Sequence, residues 1–158
     1  MRSNKHSRIP PTREIFVPAT SGTGAAQKGT HTGYILDDDN DDAWIELYVP
    51  HDYHGFYECV LVAIGINTLA TQTINVDSDY GQKNDYSQLC SQGAFLYTLT
   101  GVGADQIIEI DITNVINGDA TTRAIMRGDY VGIHAEATTS TDLVILGVRF
   151  RYKVFKHK

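Results

Sequence analysis

Residues 143–155 read LVILGVRFRYKVF, and their alternation decides the fold class. Val148, Phe150, Tyr152 and Val154 fall on one side of an extended chain, and Arg149, Arg151 and Lys153 on the other. A period of two is that of a strand with one face on a core. The same period recurs upstream. In 130–137, Val131, Ile133 and Ala135 share a face, and in 108–112 Ile108, Ile110 and Ile112 alternate with Glu109 and Asp111. In 43–49, Ile45, Leu47 and Val49 oppose Trp44, Glu46 and Tyr48, and Pro50 ends the run. Residues 56–66, FYECVLVAIGI, are continuously apolar and β-branched, which predicts a central strand covered on both faces. Shorter strands are expected at 13–17, 34–36, 71–76 and 94–100. Residues 18–33, 37–42 and 77–93 read as loops, because they are rich in Gly, Thr, Ser, Asp and Asn and lack a period. One helical turn is expected at 111–118, with Thr113 capping its start and Asn117-Gly118 its exit.

No stretch of 10–15 residues repeats with a helical period, which excludes βαβ units. No internal repeat points to a propeller or solenoid. About eight strands joined by turns and some long connections predict an all-β, antiparallel β-sandwich of jelly-roll topology. We expect a flexible basic arm at 1–12, closed by Pro10-Pro11, and one jelly-roll domain at 13–158.

The 158 residues suit one core, with 42% hydrophobic and 20% charged content. No apolar run approaches the roughly 20 residues of a membrane span, and the start, MRSNKHSRIPP, is not expected to be a secretory signal. Cys59 and Cys90 are too few for a disulfide framework, and Cys59, beside Val60-Leu61-Val62, reads as a buried thiol. The charge is segregated. Arg2, Lys5, Arg8 and Arg13 at one end, and Arg149, Arg151, Lys153, Lys156 and Lys158 at the other, are nine of the thirteen bases. All nineteen acids lie in 14–148. An acidic body repels phosphate, so nucleic acid is unlikely as a partner except through the basic termini. Were the first and last strands neighbours, Arg2, Lys5, Arg8, Arg13, Arg149, Arg151 and Lys153 would form one positive docking edge.

Motifs for chemistry are weak. His51-Asp52-Tyr53-His54 spaces two histidines too loosely for a metal and reads as a surface turn. Asp37–Asp42, broken by Asn40, lacks the Gly and closing Glu of an EF-hand and reads as a solvated loop, with intersubunit calcium as an alternative. Arg127-Gly128-Asp129 spells an adhesion tripeptide but sits where a turn is needed. There is no nucleophile elbow, phosphate loop or dinucleotide fingerprint. We expect no enzyme activity, no cofactor and no bound metal. Trp44, Tyr53, Tyr57 and Tyr80 are candidates for a surface recognition platform that stacks on sugar rings.

Val49-Pro50-His51-Asp52-Tyr53, Asn75–Gly81 (NVDSDYG), Gly128–Ile133 (GDYVGI) and Gly147–Tyr152 (GVRFRY) resemble small jelly-roll structural proteins of tailed phages, of the capsid-decoration or head-fibre type. The resemblance runs over about residues 43–155. It implies a homo-oligomer, commonly a trimer, that docks on the major capsid protein or another virion protein and resides in the virion after assembly in the host cytoplasm. The alternative is a receptor- or carbohydrate-binding jelly-roll module of a head fibre or tail. Asp77-Ser78-Asp79-Tyr80-Gly81 is also similar to one motif of the trimeric dUTPases. The phosphate-binding and C-terminal motifs of that family are missing, which leaves nucleotide hydrolysis a remote alternative.

Overall fold

The computed structural model describes residues 11–83, 92–117, 123–139 and 141–154. Arg2, Lys5, Arg8, Tyr86, Cys90, Gly118, Lys156 and Lys158 lie outside them. The elements in chain order are β1 (Thr12–Pro18), β2 (Ser21–Gly22), β3 (Gly24–Lys28), β4 (His31–Leu36), β5 (Asp42–Tyr48), β6 (Tyr53–Gly65), β7 (Leu69–Gly81), β8 (Gln92–Val102), β9 (Ile107–Asp111), α1 (Thr113–Asn117), β10 (Tyr130–Thr139) and β11 (Leu143–Val154).

Two sheets form. The first runs β3-β4-β11-β6-β9, with β1 also on β11, and the second runs β2-β5-β10-β7-β8. Every pairing is antiparallel. Take β4, β5, β6, β7, β8, β9, β10 and β11 as eight core strands in sequence. The sheets then read first-eighth-third-sixth and second-seventh-fourth-fifth, which is the double Greek key of a jelly roll. The fold class read from the alternation is therefore the fold observed.

Two expected loops are strands instead. Residues 24–36 form the β3–β4 hairpin, turning at Gly29 with φ +62°. Small residues gave that hairpin no hydrophobic period. β7 runs on through Gly81, so Asp77-Ser78-Asp79-Tyr80-Gly81 is strand, with Asp77 and Asp79 half-buried on one side and Ser78 and Tyr80 buried on the other. A polar outer face had disguised its second half. The helical turn is present, but Thr113 does not cap it. Asp111 Oδ1 accepts from the Thr113 N–H at 2.9 Å, while the Thr113 hydroxyl accepts from the Cys59 N–H at 3.2 Å.

The inner faces meet in one core. The second sheet contributes Ile45, Leu47, Ile74, Val76, Val131 and Ile133, and the first contributes Cys59, Leu61, Ile145, Val148 and Phe150. Burial pushes the Cys59 thiol far up, which keeps it protonated. The outer face of β6 is covered only in part: Ile64 joins Val144 and Leu146 in a small second cluster, with Ala26, Val62 and Ile66 packed against it.

A bulge aligns β11 with both partners. Leu143 and Ile145 point inward, and so do Val148, Phe150 and Tyr152, a change of parity that an unbroken strand forbids. The register slips between Ile145 and Gly147. Gly147 sits at φ +149°, and a Cβ there would lie 2.1 Å from the Val17 carbonyl and 2.7 Å from the Pro18 Cα. Gly147→Ala is expected to push β1 off β11 and cost on the order of 2 kcal/mol or more, by backbone strain and overpacking. Urea unfolding of the two proteins checks this, with the midpoint falling in the variant.

Candidate functional site

The outer face of the second sheet is built by β5, β10 and β7, which lie side by side. Their inward residues are apolar and fix the register, so the outward residues fall into rows across the three strands. Tyr48, Tyr130 and Gly81 form the first row, Glu46, Gly132 and Asp79 the second, and Trp44, His134 and Asp77 the third. Successive rows are roughly 7 Å apart.

The two ends of this array are aromatic. Tyr48 and Tyr130 tilt together at 5.2 Å between ring centroids. The Tyr48 hydroxyl shares a hydrogen bond of 3.0 Å with His51 Nε2. Trp44 and His134 stack at 4.0 Å and 18°, and His134 Nδ1 lies 3.3 Å from Asp77 Oδ2. Trp44, Tyr48 and Tyr130 are 42%, 40% and 60% exposed, so their rings are open to a ligand. The middle row is low. A Cβ on Gly132 would meet nothing within 4 Å, and Glu46 and Asp79 flank the gap. The result is a groove of about 650 Å³ with Ser21 and Gln82 on its rim, within the range of ligand sites.

A buried ion pair supports one wall. Asp129 is fully buried and accepts two bonds from Arg123, at 2.6 and 2.9 Å, and one from the Met126 N–H at 2.7 Å. Its carbonyl accepts from the Val49 N–H at 2.8 Å. The segment before Tyr130 is thereby tied to the end of β5. Tyr80 lies beneath this tie: its hydroxyl donates to the Arg123 carbonyl, and the guanidinium sits 5.5 Å from its ring.

The foreseen platform is dispersed. Trp44 lies in the groove. Tyr53 and Tyr80 are 7% and 4% exposed and belong to the core, where they cannot offer a ring to a ligand, and burial pushes the Tyr53 phenol up to about 12. Tyr57 is exposed on the first sheet, under the Arg151 guanidinium at 4.7 Å. Sequence reading missed Gly132, His134 and Asp79. Alternation places each on an outer face, but only the pairing of β10 between β5 and β7 puts them beside Trp44 and Tyr48.

The basic edge is only half realised. β1 does pair with β11, from Thr12↔Lys153 to Pro18↔Gly147. However, Arg13 pairs with Asp52 at 2.5 Å. Arg149 reaches Glu14 and Glu109 at 2.9 Å and Glu58 at 3.2 Å, and those bonds push its pKa further up. Its charge is neutralised within the domain. Arg127-Gly128 forms the turn expected there, and Asp129 is buried, which leaves no exposed adhesion tripeptide. The dUTPase reading is weakened by the division of Asp77–Gly81 between two faces. His51 binds Tyr48, and Asp52 binds Arg13 and Tyr152.

In the acidic loop, the Asp37, Asp38 and Asp41 carboxylates lie within 4.8 Å of one another. Burial alone would raise Asp41. The N–H groups of Asp38 and Asp37, at 2.9 and 3.1 Å from its Oδ2, outweigh that and hold it below the usual carboxylate range. Asp37 is raised, first by burial and then by Asp41. Asp41 thus closes the turn that enters β5.

No protein-family profile matches the chain, and no curated protein matches it in sequence. In structure it is similar to the CBM36-1 domain of a multidomain xylanase from the hindgut metagenome of Trinervitermes trinervoides (16% identity, 87% of this chain and 96% of that one, TM-score 0.48). It is also similar to Xyl-CBM35 in complex with a glucuronic acid containing disaccharide (12%, 90% and 94%, 0.48). A further likeness is to Desmodium yellow mottle tymovirus (11%, 100% and 97%, 0.30).

Asp129→Ala is expected to remove the carboxylate that accepts twice from Arg123 and once from the Met126 N–H. It should cost about 3 kcal/mol, the low end for a broken buried pair because Arg123 is partly exposed. A thermal melt with tyrosine fluorescence measures it.

Proposed function

We propose that this chain is a non-catalytic carbohydrate-binding module whose ligand lies along the outer face of β5, β10 and β7. One observation carries the reading: two pairs of contacting rings, Trp44–His134 stacked and Tyr48–Tyr130 tilted, bracket a glycine-floored gap lined by carboxylates. Sugar rings present apolar C–H faces and polar edges. The former suit the open faces of Trp44, Tyr48 and Tyr130, and the hydroxyls suit Glu46, Asp79 and Gln82 as partners. A flat, solvent-open array on a rigid sheet positions such contacts without ordering a loop, which lowers the entropy cost of binding.

Binding without catalysis is the simpler use of these groups. Among the described residues, no hydroxyl or thiol is bonded to His134, which lies beside Asp77. Ser78 points inward and donates to the Val115 carbonyl, and Cys59 is sealed in the core.

A glycan array tests the proposal. Binding is expected, and Trp44→Ala or Tyr130→Ala should weaken it about tenfold or more, since one stacking contact supplies roughly 1–3 kcal/mol by analogy with base–aromatic stacking. Both rings face outward, so the melting temperature should hold. Array binding that survives both substitutions would place the ligand elsewhere.

A second reading, a self-associating coat or decoration subunit with a capsid protein as its partner, draws on one observation. Phe16 and Ile107 are 53% and 55% exposed on the first sheet. Exposed apolar groups of this kind mark contact surfaces when they join into a patch. This reading predicts a stable oligomer, commonly a trimer, in sedimentation equilibrium; a monomer at high concentration removes it.

A further inference from the structure

We infer that the groove selects a glycan bearing a positively charged amine, an amino sugar, over uronic or sulfated sugars and over the same chain in neutral, N-acetylated form. The inference rests on the carbohydrate-binding reading above and refines it. The groove and its rings define the place, and the charges around it define the ligand.

The middle row is the reason. Glu46 and Asp79 are the register partners of Gly132 on its two sides. With strands roughly 4.8 Å apart, their Cα atoms stand about 10 Å from each other across an open floor. Among the described residues, neither carboxylate has an ion-pair or hydrogen-bond partner. The groove's lining contains no Lys or Arg. Asp77 and Glu136 extend the negative face along the next rows, and His134, the one titratable base there, is already beside Asp77.

This contrasts with the other sheet, where Arg149 gathers three carboxylates. On that sheet Glu14, Glu58 and Glu109 share a cation, and among the described residues Glu46 and Asp79 have none. A ligand lying over Gly132 takes water from both carboxylates. A neutral sugar can donate hydroxyl hydrogen bonds but leaves two like charges facing each other with less solvent. A sugar ammonium offers three donors and cancels charge at the same point. A uronate or sulfate would add a third negative group and bind worst.

Calorimetry with three probes tests this: a glucosamine tetramer, its fully N-acetylated counterpart and a galacturonate tetramer, alongside an array of neutral glycans. Wild-type protein should bind the glucosamine tetramer at least tenfold tighter than the N-acetylated one, and the galacturonate not at all. The double variant E46Q/D79N should lose that advantage while keeping its melting temperature. Added salt should weaken the amine-bearing probe alone. Equal affinity for the amine and neutral forms, or an advantage that E46Q/D79N leaves intact, overturns the inference while the carbohydrate-binding reading stands. Absence of binding by every probe and every array glycan overturns both.

Discussion

The domain depends on one strand meeting three others. β11 hydrogen-bonds to β6 along one edge, and to β4 and then β1 along the other. Two partners on one edge can be served only if the strand bends between them, and the bulge at Leu146-Gly147 is that bend. Before it, Leu143 and Ile145 fill the core beside β4. After it, Val148, Phe150 and Tyr152 do so beside β1. Gly147 is required there for two reasons at once, its backbone angle and the closeness of Val17 and Pro18. The sandwich closes around this point.

The two outer faces have opposite electrostatic designs. On the first sheet, Arg149 links β11 to β1, β6 and β9 through Glu14, Glu58 and Glu109. Partly buried pairs of this kind hold neighbouring strands in register at modest net energy. On the second sheet Glu46 and Asp79 have no partner among the described residues, and the rings are left open. One face closes its charges within the molecule, and the other presents carboxylates and rings to solvent.

Much of the architecture was legible in the chain, and the reasons are local. Strict alternation in 43–49, 130–137 and 143–155 reports which face is buried, and that information needs no knowledge of neighbours. The β3–β4 hairpin escaped because Gly24, Ala25, Ala26 and Gly33 carry too little apolar surface to make a period. The second half of β7 escaped because Asp77 and Asp79 on its outer face read as loop. The groove was legible only in fragments. Trp44 and Tyr48 announce an aromatic outer face on β5, but Gly132 and Asp79 acquire meaning only from cross-strand pairing, which period-two patterns do not encode. Tyr53 and Tyr80 misled because tyrosine serves equally as a core residue with a hydroxyl that must find a partner and as a surface ring.

The alternation on β5 and β10 has an evolutionary consequence. Ile45, Leu47, Val131 and Ile133 secure the sheet from below, while Trp44, Glu46, Gly132 and His134 stand between them in the chain on the outer face. Drift at the upper set is then nearly silent for folding. Under the proposed function, one scaffold would pass through many specificities by single substitutions, with position 132 setting how deep an arriving molecule sinks.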